Sequence, residues 1–405
     1  MCLKKIYGVD FATLTDADEF RTAFFARKLA LCDLKIIHDE LQQSSFDNAP
    51  AAMLLKGKHS GAPHETPFII LAQLHGNEPA GLAGVALAIA LARAGLLEAD
   101  VLCVIGNPLA ARQYFAAWEN APSARQETRD AYRCGVSVSG DLLPDGNRIP
   151  FDFLTRAEVT PHIQRSRELY SLAQKACGIL DIHSARGNMV CITDHKRDID
   201  LKHSPIRAVL TELAEAISAN ASATVTVQTL KTILSPLPNI ICQTGIEAGR
   251  HEDENSPHIA AAFTLATLYN LGITSVKPLM ETDDGKFTRY SVRPRITYAD
   301  LLCEGELTAD DMIYMAQEID GETQEYQYDE MVAIKKGQVV AVAKPSGAVF
   351  RANADFSGIF FSKSAALYDK DPAVDPWPVA ASKLAKVKFC YPCVVSPTEY
   401  NSRNA

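Results

Sequence analysis

A chain of 405 residues, 47% hydrophobic and 22% charged, is long enough for two or three domains and carries ample material for a core. Its net charge of −9 excludes a protein built around a broad basic field, so nucleic acid is not an expected partner, while a small anionic substrate met by local arginines stays open. The 10 cysteines lack the dense spacing of a disulfide scaffold, and the N-terminal "MCLKKIYGVDFATLTDADEF" lacks the apolar core of a signal peptide, so a cytoplasmic protein with reduced thiols is expected.

In chain order, Phe20, Phe24, Leu29 and Leu31 predict a first helix over 18 to 31, followed by a short strand "LKIIH". Residues 67 to 74, "PFIILAQL", are a continuous apolar run of strand length, suited to a sheet covered on both faces. The Ala- and Leu-rich segment 79 to 94 reads as a helix; its apolar run falls short of the ~20 residues that span a bilayer, so no membrane role is expected. "ADVLCVIGNP" is a second strand closed by Asn107-Pro108. An irregular stretch from about 119 to 155 precedes a helix over 157 to 177 and the strand "GILDIH". A helix "SPIRAVLTELAEAISAN", the strands "ATVTVQ" and "NIICQTGIE", and an apolar helix over 257 to 271 complete an alternating pattern.

This alternation predicts an α/β domain over 1–275 with a mixed, largely parallel sheet flanked by helices. Short β-type runs broken by Gly and Pro predict a smaller β-rich domain over 276–370, and the proline-punctuated 371–405 reads as an irregular tail. Cys390 and Cys393 have the spacing of half a zinc knuckle, but no second half accompanies them, and they read as incidental reduced thiols.

Chemistry concentrates at three strand ends. His75 and Glu78 leave the first apolar strand together, at the carboxyl edge where open α/β sheets bind ligands. Asp181-Ile182-His183 ends another strand, with Asp181 placed to orient the imidazole, and Glu247 ends a third, before Ala248 and Gly249. A bare His-x-x-Glu is weak by itself: His251 and Glu254 repeat it in a charged stretch that reads as a solvated helix start. Two imidazoles and one carboxylate are the donors of a catalytic zinc with one position left open, and a separate carboxylate can then move a proton to a leaving amine.

"HGNE" after a strand, the Asn-Arg pair of "DGNRIPF", "DIHSARGN" and "GIEAG" occur in an order that resembles the succinylglutamate desuccinylase/aspartoacylase family of zinc-carboxypeptidase-like hydrolases. The resemblance covers roughly 65 to 275, and the family's C-terminal β domain suits 276 to 370. "DIHSARGN" is more similar to the desuccinylase branch. The resemblance implies one zinc per chain on His75, Glu78 and His183, with Glu247 as general base and acid. It further implies Asn147 and Arg148 as holders of a substrate carboxylate, which the planar fork of Arg suits. Arg133 is the first choice for the arginine that stabilises the oxyanion, ahead of Arg129, and Arg186 is assigned to the substrate.

The chain departs from the family where Gly146 replaces the usual Leu before Asn-Arg, and where no matching arginine shortly precedes Glu247. The expectation is therefore a zinc hydrolase cleaving an amide bond in an N-acyl amino acid or similar small anionic compound, with a homo-oligomer allowed. A zinc carboxypeptidase acting on short peptides is the alternative, and a non-catalytic ligand-binding protein on the same fold is a third reading.

Overall fold

An uncharged strand covered on both faces needs packing above and below it, and the described part of the α/β unit is organised around that requirement. The computed structural model describes residues 2–59, 66–120, 134–136, 142–145, 154–155, 157, 159–185, 189–194, 224–228, 242–250, 254–278, 296–297, 301–325, 333–357, 379–382 and 388–390. Two compact units divide the chain: Met1–Ala185 with Met189–Val225 and Thr229–Thr288, and Arg186–Asn188 with Thr226–Gln228 and Arg289–Ala405.

The first unit opens with three helices, α1 (Cys2–Tyr7), α2 (Ala17–Phe25) and α3 (Leu31–Gln42). Asp16 caps α2 by accepting from the backbone N–H groups of Asp18 and Glu19 at 3.0 and 2.9 Å. The expected strand "LKIIH" is instead part of α3, and the expected first helix stops at Phe25. The reason is periodicity: Leu34, Ile37, His38 and Leu41 recur at helical spacing and are all buried, a face that a five-residue window does not reveal.

A sheet in the order β6-β5-β7-β4-β2-β3-β1 comes next, made of β1 (Ala52–Leu55), β2 (Phe68–Ala72), β3 (Val101–Ile105), β4 (Gly178–Ala185), β5 (Met189–Asp194), β6 (Thr224–Gln228) and β7 (Cys242–Arg250). Strands β3, β2, β4 and β7 run parallel, while β1 and β5 pair antiparallel to β3 and β7. All five residues of β2 and all five of β3 are buried, which explains their unbroken apolar character.

Helix α4 (Gly81–Arg93) is buried from Gly81 through Leu91 and packs against α7 (Ser256–Asn270). Helix α5 (Pro108–Asn120) begins where the sequence suggested only a stop. Pro108 occupies the first helical position, where its missing N–H costs nothing, and the Asn107 side chain accepts from Ala110 N at 3.1 Å. Helix α6 (Pro161–Gln174), capped by Thr160, is fastened to the sheet by buried Arg165, which donates to the carbonyls of Gly106, Pro50 and Ile105 and to Glu168.

The second unit holds a separate antiparallel sheet in the order β8-β12-β11-β9-β10: β8 (Leu301–Glu304), β9 (Met312–Ile319), β10 (Glu322–Glu325), β11 (Val339–Lys344) and β12 (Val349–Ala352). Ile313, Val339, Ala341 and Phe350 are buried in it. Among the described residues of the C-terminal segment, Val379–Ala380 and Lys388–Cys390 are short strands.

Candidate metal centre

A sharp change of backbone direction ends β2. Gln73 adopts φ +50°, a left-handed conformation that costs a side-chain-bearing residue about 1–2 kcal/mol. The chain then folds into a tight turn in which Glu78 N donates to His75 O at 3.1 Å. Gly76 sits so close to α5 that a Cβ there would lie 2.4 Å from the carbonyl carbon of Ala110, so only glycine fits between the turn and the helix.

His183 arrives from the neighbouring parallel strand. Ala72 pairs with Ile182, so His183 is the first residue of β4 beyond the last paired residue of β2. Asp181 and His183 are two apart on a strand and share a face. On the other side, Glu247 of β7 pairs in parallel register with His183 and antiparallel with Cys191.

These elements bring His75, Glu78 and His183 into one buried cluster whose candidate ligand atoms all lie within 4.8 Å of one another. His75 Nδ1 is 2.8 Å from Glu78 Oε1, and His183 Nδ1 is 2.7 Å from Glu78 Oε2. The two rings stand 5.0 Å apart between centroids, at 50°. His183 Nε2 lies 3.0 Å from Asp181 Oδ2, so a carboxylate engages the nitrogen that the cluster leaves over. Exposure is 1% for His75, 2% for Glu78, 3% for Asp181 and 7% for His183, so none of these charges is balanced by bulk water.

Burial would lower the proton affinity of His183, but the charges of Asp181 and Glu78 outweigh it and hold the ring well above the ordinary histidine range. Burial would likewise raise Glu78, and His75 followed by His183 overcomes that, keeping the carboxyl well below its usual range. Two buried carboxylates facing two imidazoles thus create a local demand for positive charge. Protons can meet it, and so can a divalent cation; two nitrogens and a carboxylate converging on one point are the donor set that zinc takes in catalytic sites. Asp181 Oδ1 and Asn77 Oδ1 are also buried without a hydrogen-bond partner among the described residues, which leaves polar capacity unfilled beside the cluster. The residues present fit a zinc ion.

Of the other residues singled out in the sequence, Glu247 has its backbone on β7, while its side chain lies outside the described residues. Arg133, Asn147, Arg148 and Arg186 also lie outside them, as do Arg129 and Cys393. His251 falls outside them as well, whereas Glu254 is 79% exposed, 3.6 Å from Lys28 Nζ. Two residues escaped the sequence reading altogether: Gln73 and His38, buried and bonded to each other beneath the turn. The signal available for Gln73 was a lone amide within an apolar run; His38 was hidden because the window "LKIIH" around it reads as a strand.

Fold and cluster together define an α/β protein with a candidate metal centre at the carboxyl ends of adjacent parallel strands. No protein-family model matches the sequence, and no curated protein does. Among solved structures, the chain is similar to succinylglutamate desuccinylase from Vibrio parahaemolyticus, at 16% identity and TM-score 0.48, covering 89% of this chain and 94% of that one. It is also similar to a succinylglutamate desuccinylase/aspartoacylase from Rhodobacter sphaeroides, at 13% identity and TM-score 0.44, over 85% and 88% of the two chains. A third is the product-bound ectoine utilization protein of Ruegeria pomeroyi, at 15% identity and TM-score 0.36, over 88% and 92%. Among the described residues, no helix is long and apolar enough to cross a membrane.

Proposed function

We propose that this protein is a zinc-dependent hydrolase that cleaves an amide bond in N-acyl amino acids or similar small anionic amides. The observation that carries the reading is the convergence of His75, Glu78 and His183 from two adjacent strand ends, with Asp181 on the remaining nitrogen of His183. Zinc held there would supply a Lewis acid that polarises a carbonyl and acidifies water.

The remaining work belongs to the chain. His75, Glu78 and His183 supply the ligands, and Asp181 accepts from Nε2–H of His183, fixing Nδ1 as the ligating nitrogen. Glu247, in register with His183 on the next parallel strand, acts as the base: its carboxylate takes a proton from the attacking water and passes it to the leaving amine. Arg148 and Asn147 hold the substrate carboxylate, Arg186 assists them, and Arg133 steadies the developing oxyanion.

Elemental mass spectrometry on protein purified without chelator or metal-affinity resin tests the first step. About one zinc per chain is expected, lost in His183→Ala; no uptake even after dialysis against zinc would remove the reading. Release of free amine from a panel of acyl-amino acids tests the second, with unblocked dipeptides separating a deacylase from a carboxypeptidase. Glu247→Gln should keep the metal and lose orders of magnitude in rate.

A further inference from the structure

Beneath the turn that carries His75 and Glu78 lies a buried polar link that neither binds a metal nor meets solvent. Gln73 is 0% exposed, and its side chain reaches in two directions. Nε2 donates to the carbonyl of Gly76 at 3.0 Å, and Oε1 lies 3.1 Å from Nδ1 of His38 on α3. The Gly76 carbonyl can only accept, so the amide nitrogen must face it and the amide oxygen must face His38. His38 therefore donates from Nδ1. Burial lowers the proton affinity of its ring, against the smaller pull of the Gln73 hydrogen bond, which keeps the imidazole neutral and leaves Nδ1–H as its tautomer. The ring is held in place by Phe115 of α5, at 4.8 Å between centroids.

Gln73 makes these bonds from a left-handed backbone that glycine would adopt without strain. A strained residue persists where its surroundings over-determine it, and such residues gather at functional sites. β2 ends at Ala72, and the Gln73 carbonyl still accepts from Asn107 N at 2.9 Å, while its side chain secures the carbonyl of Gly76. Gly76 lies between the two ligand-bearing residues and is pressed on its other side by the backbone of Ala110. The turn is thus held between a helix and an amide.

We propose that Gln73, oriented by His38, is the positioning residue of this centre: by pinning the Gly76 carbonyl it fixes the turn that presents His75 and Glu78 to one cation. The inference rests on the zinc reading of the cluster and extends it to a support that no ligand touches. It predicts that the pair sets metal affinity, because a ligand turn free to relax must be ordered when the ion binds.

The test is zinc affinity, measured by competition between the folded protein and a chromophoric chelator, with thermal unfolding of the metal-free protein alongside. Gln73→Met keeps the volume and removes both hydrogen bonds; Gln73→Gly removes them while suiting the backbone, and so serves if the first variant does not fold. Each should weaken zinc binding by about 10-fold or more, the range found for partners behind metal ligands. His38→Phe, which keeps a ring against Phe115 and loses the donor, should act in the same direction and add little to Gln73→Met, since both break one network. A merely structural amide would lower the unfolding temperature of Gln73→Met and leave the Kd for zinc unchanged. A loss of less than about threefold in Gln73→Gly, small against that range, overturns the inference while the zinc reading stands. A wild-type protein that takes up no zinc removes both.

Discussion

Replacing Asp181 by Asn tests whether the cluster is a metal centre with a supporting carboxylate or only a buried ion-pair network. The substitution keeps the shape and leaves an oxygen able to accept from His183 Nε2, but deletes the charge that stands 3.0 Å away. Between full unit charges at that distance and an effective permittivity near 20, the attraction would be about 5.5 kcal/mol, which is an upper bound. An imidazole that has given its other nitrogen to a cation carries only part of a charge, so the smaller range found for carboxylates behind metal-ligating histidines governs. That range is about 10–100-fold in affinity, or about 1.4–2.7 kcal/mol. Competition with a chromophoric zinc chelator at neutral pH reads it directly, with His183→Ala as the variant that should bind no zinc. A Kd for Asp181→Asn within about twofold of the wild type, in a natively folded protein, would refute the idea that Asp181 supports a ligand.

Gly76→Ala should destabilise the first unit by about 1–3 kcal/mol, the usual cost of overpacking, because its Cβ would meet the backbone of Ala110 at 2.4 Å rather than a side chain that could swing away. An unchanged melting temperature would show that the turn or α5 yields freely. Ile37→Ala should cost about 2–5 kcal/mol, since Ile37 is fully buried on α3; a cost near zero in chemical denaturation would argue against that helix and its buried face. In the second unit, burial would raise the Asp311 carboxyl, but backbone N–H groups of Ser346 and Thr308, donating at 2.8 and 2.7 Å, hold it below its usual range. A depressed carboxyl stabilises the fold above its unfolded value near pH ~4 and loses that contribution as pH falls through the folded value. Asp311→Asn should therefore melt below the wild type at neutral pH, with the gap closing under acid; a gap constant from pH ~7 to ~3 would contradict this assignment. Burial also raises the Cys103 thiol, so native alkylation followed by mass spectrometry should label exposed Cys32 and spare Cys103. Equal labelling would show that β3 opens readily.

The sequence by itself determined whatever is written into contiguous residues. The unbroken apolar runs at 68–72 and 101–105 required a sheet with two covered faces, and the alternation with helices made that sheet largely parallel. Because ligands gather at the carboxyl ends of such strands, His75, Glu78, His183 and Glu247 stood out as candidates at three strand ends, and it was the family resemblance that chose His75, Glu78 and His183 among them as metal ligands. Asp181 could be assigned to His183 from a spacing of two on one strand. Local reading failed where identity of an element depends on what it packs against. "LKIIH" has the composition of a strand, yet Leu34, Ile37 and Leu41 are buried along one side of α3, and a short apolar run cannot declare its period. Pro108 reads as a stop and is also a helix start, a choice made once Asn107 caps the turn. Only the tertiary structure could bring His38 to Gln73 across 35 positions and set both beneath Gly76, because a hydrogen bond between distant segments leaves no periodic trace in the chain.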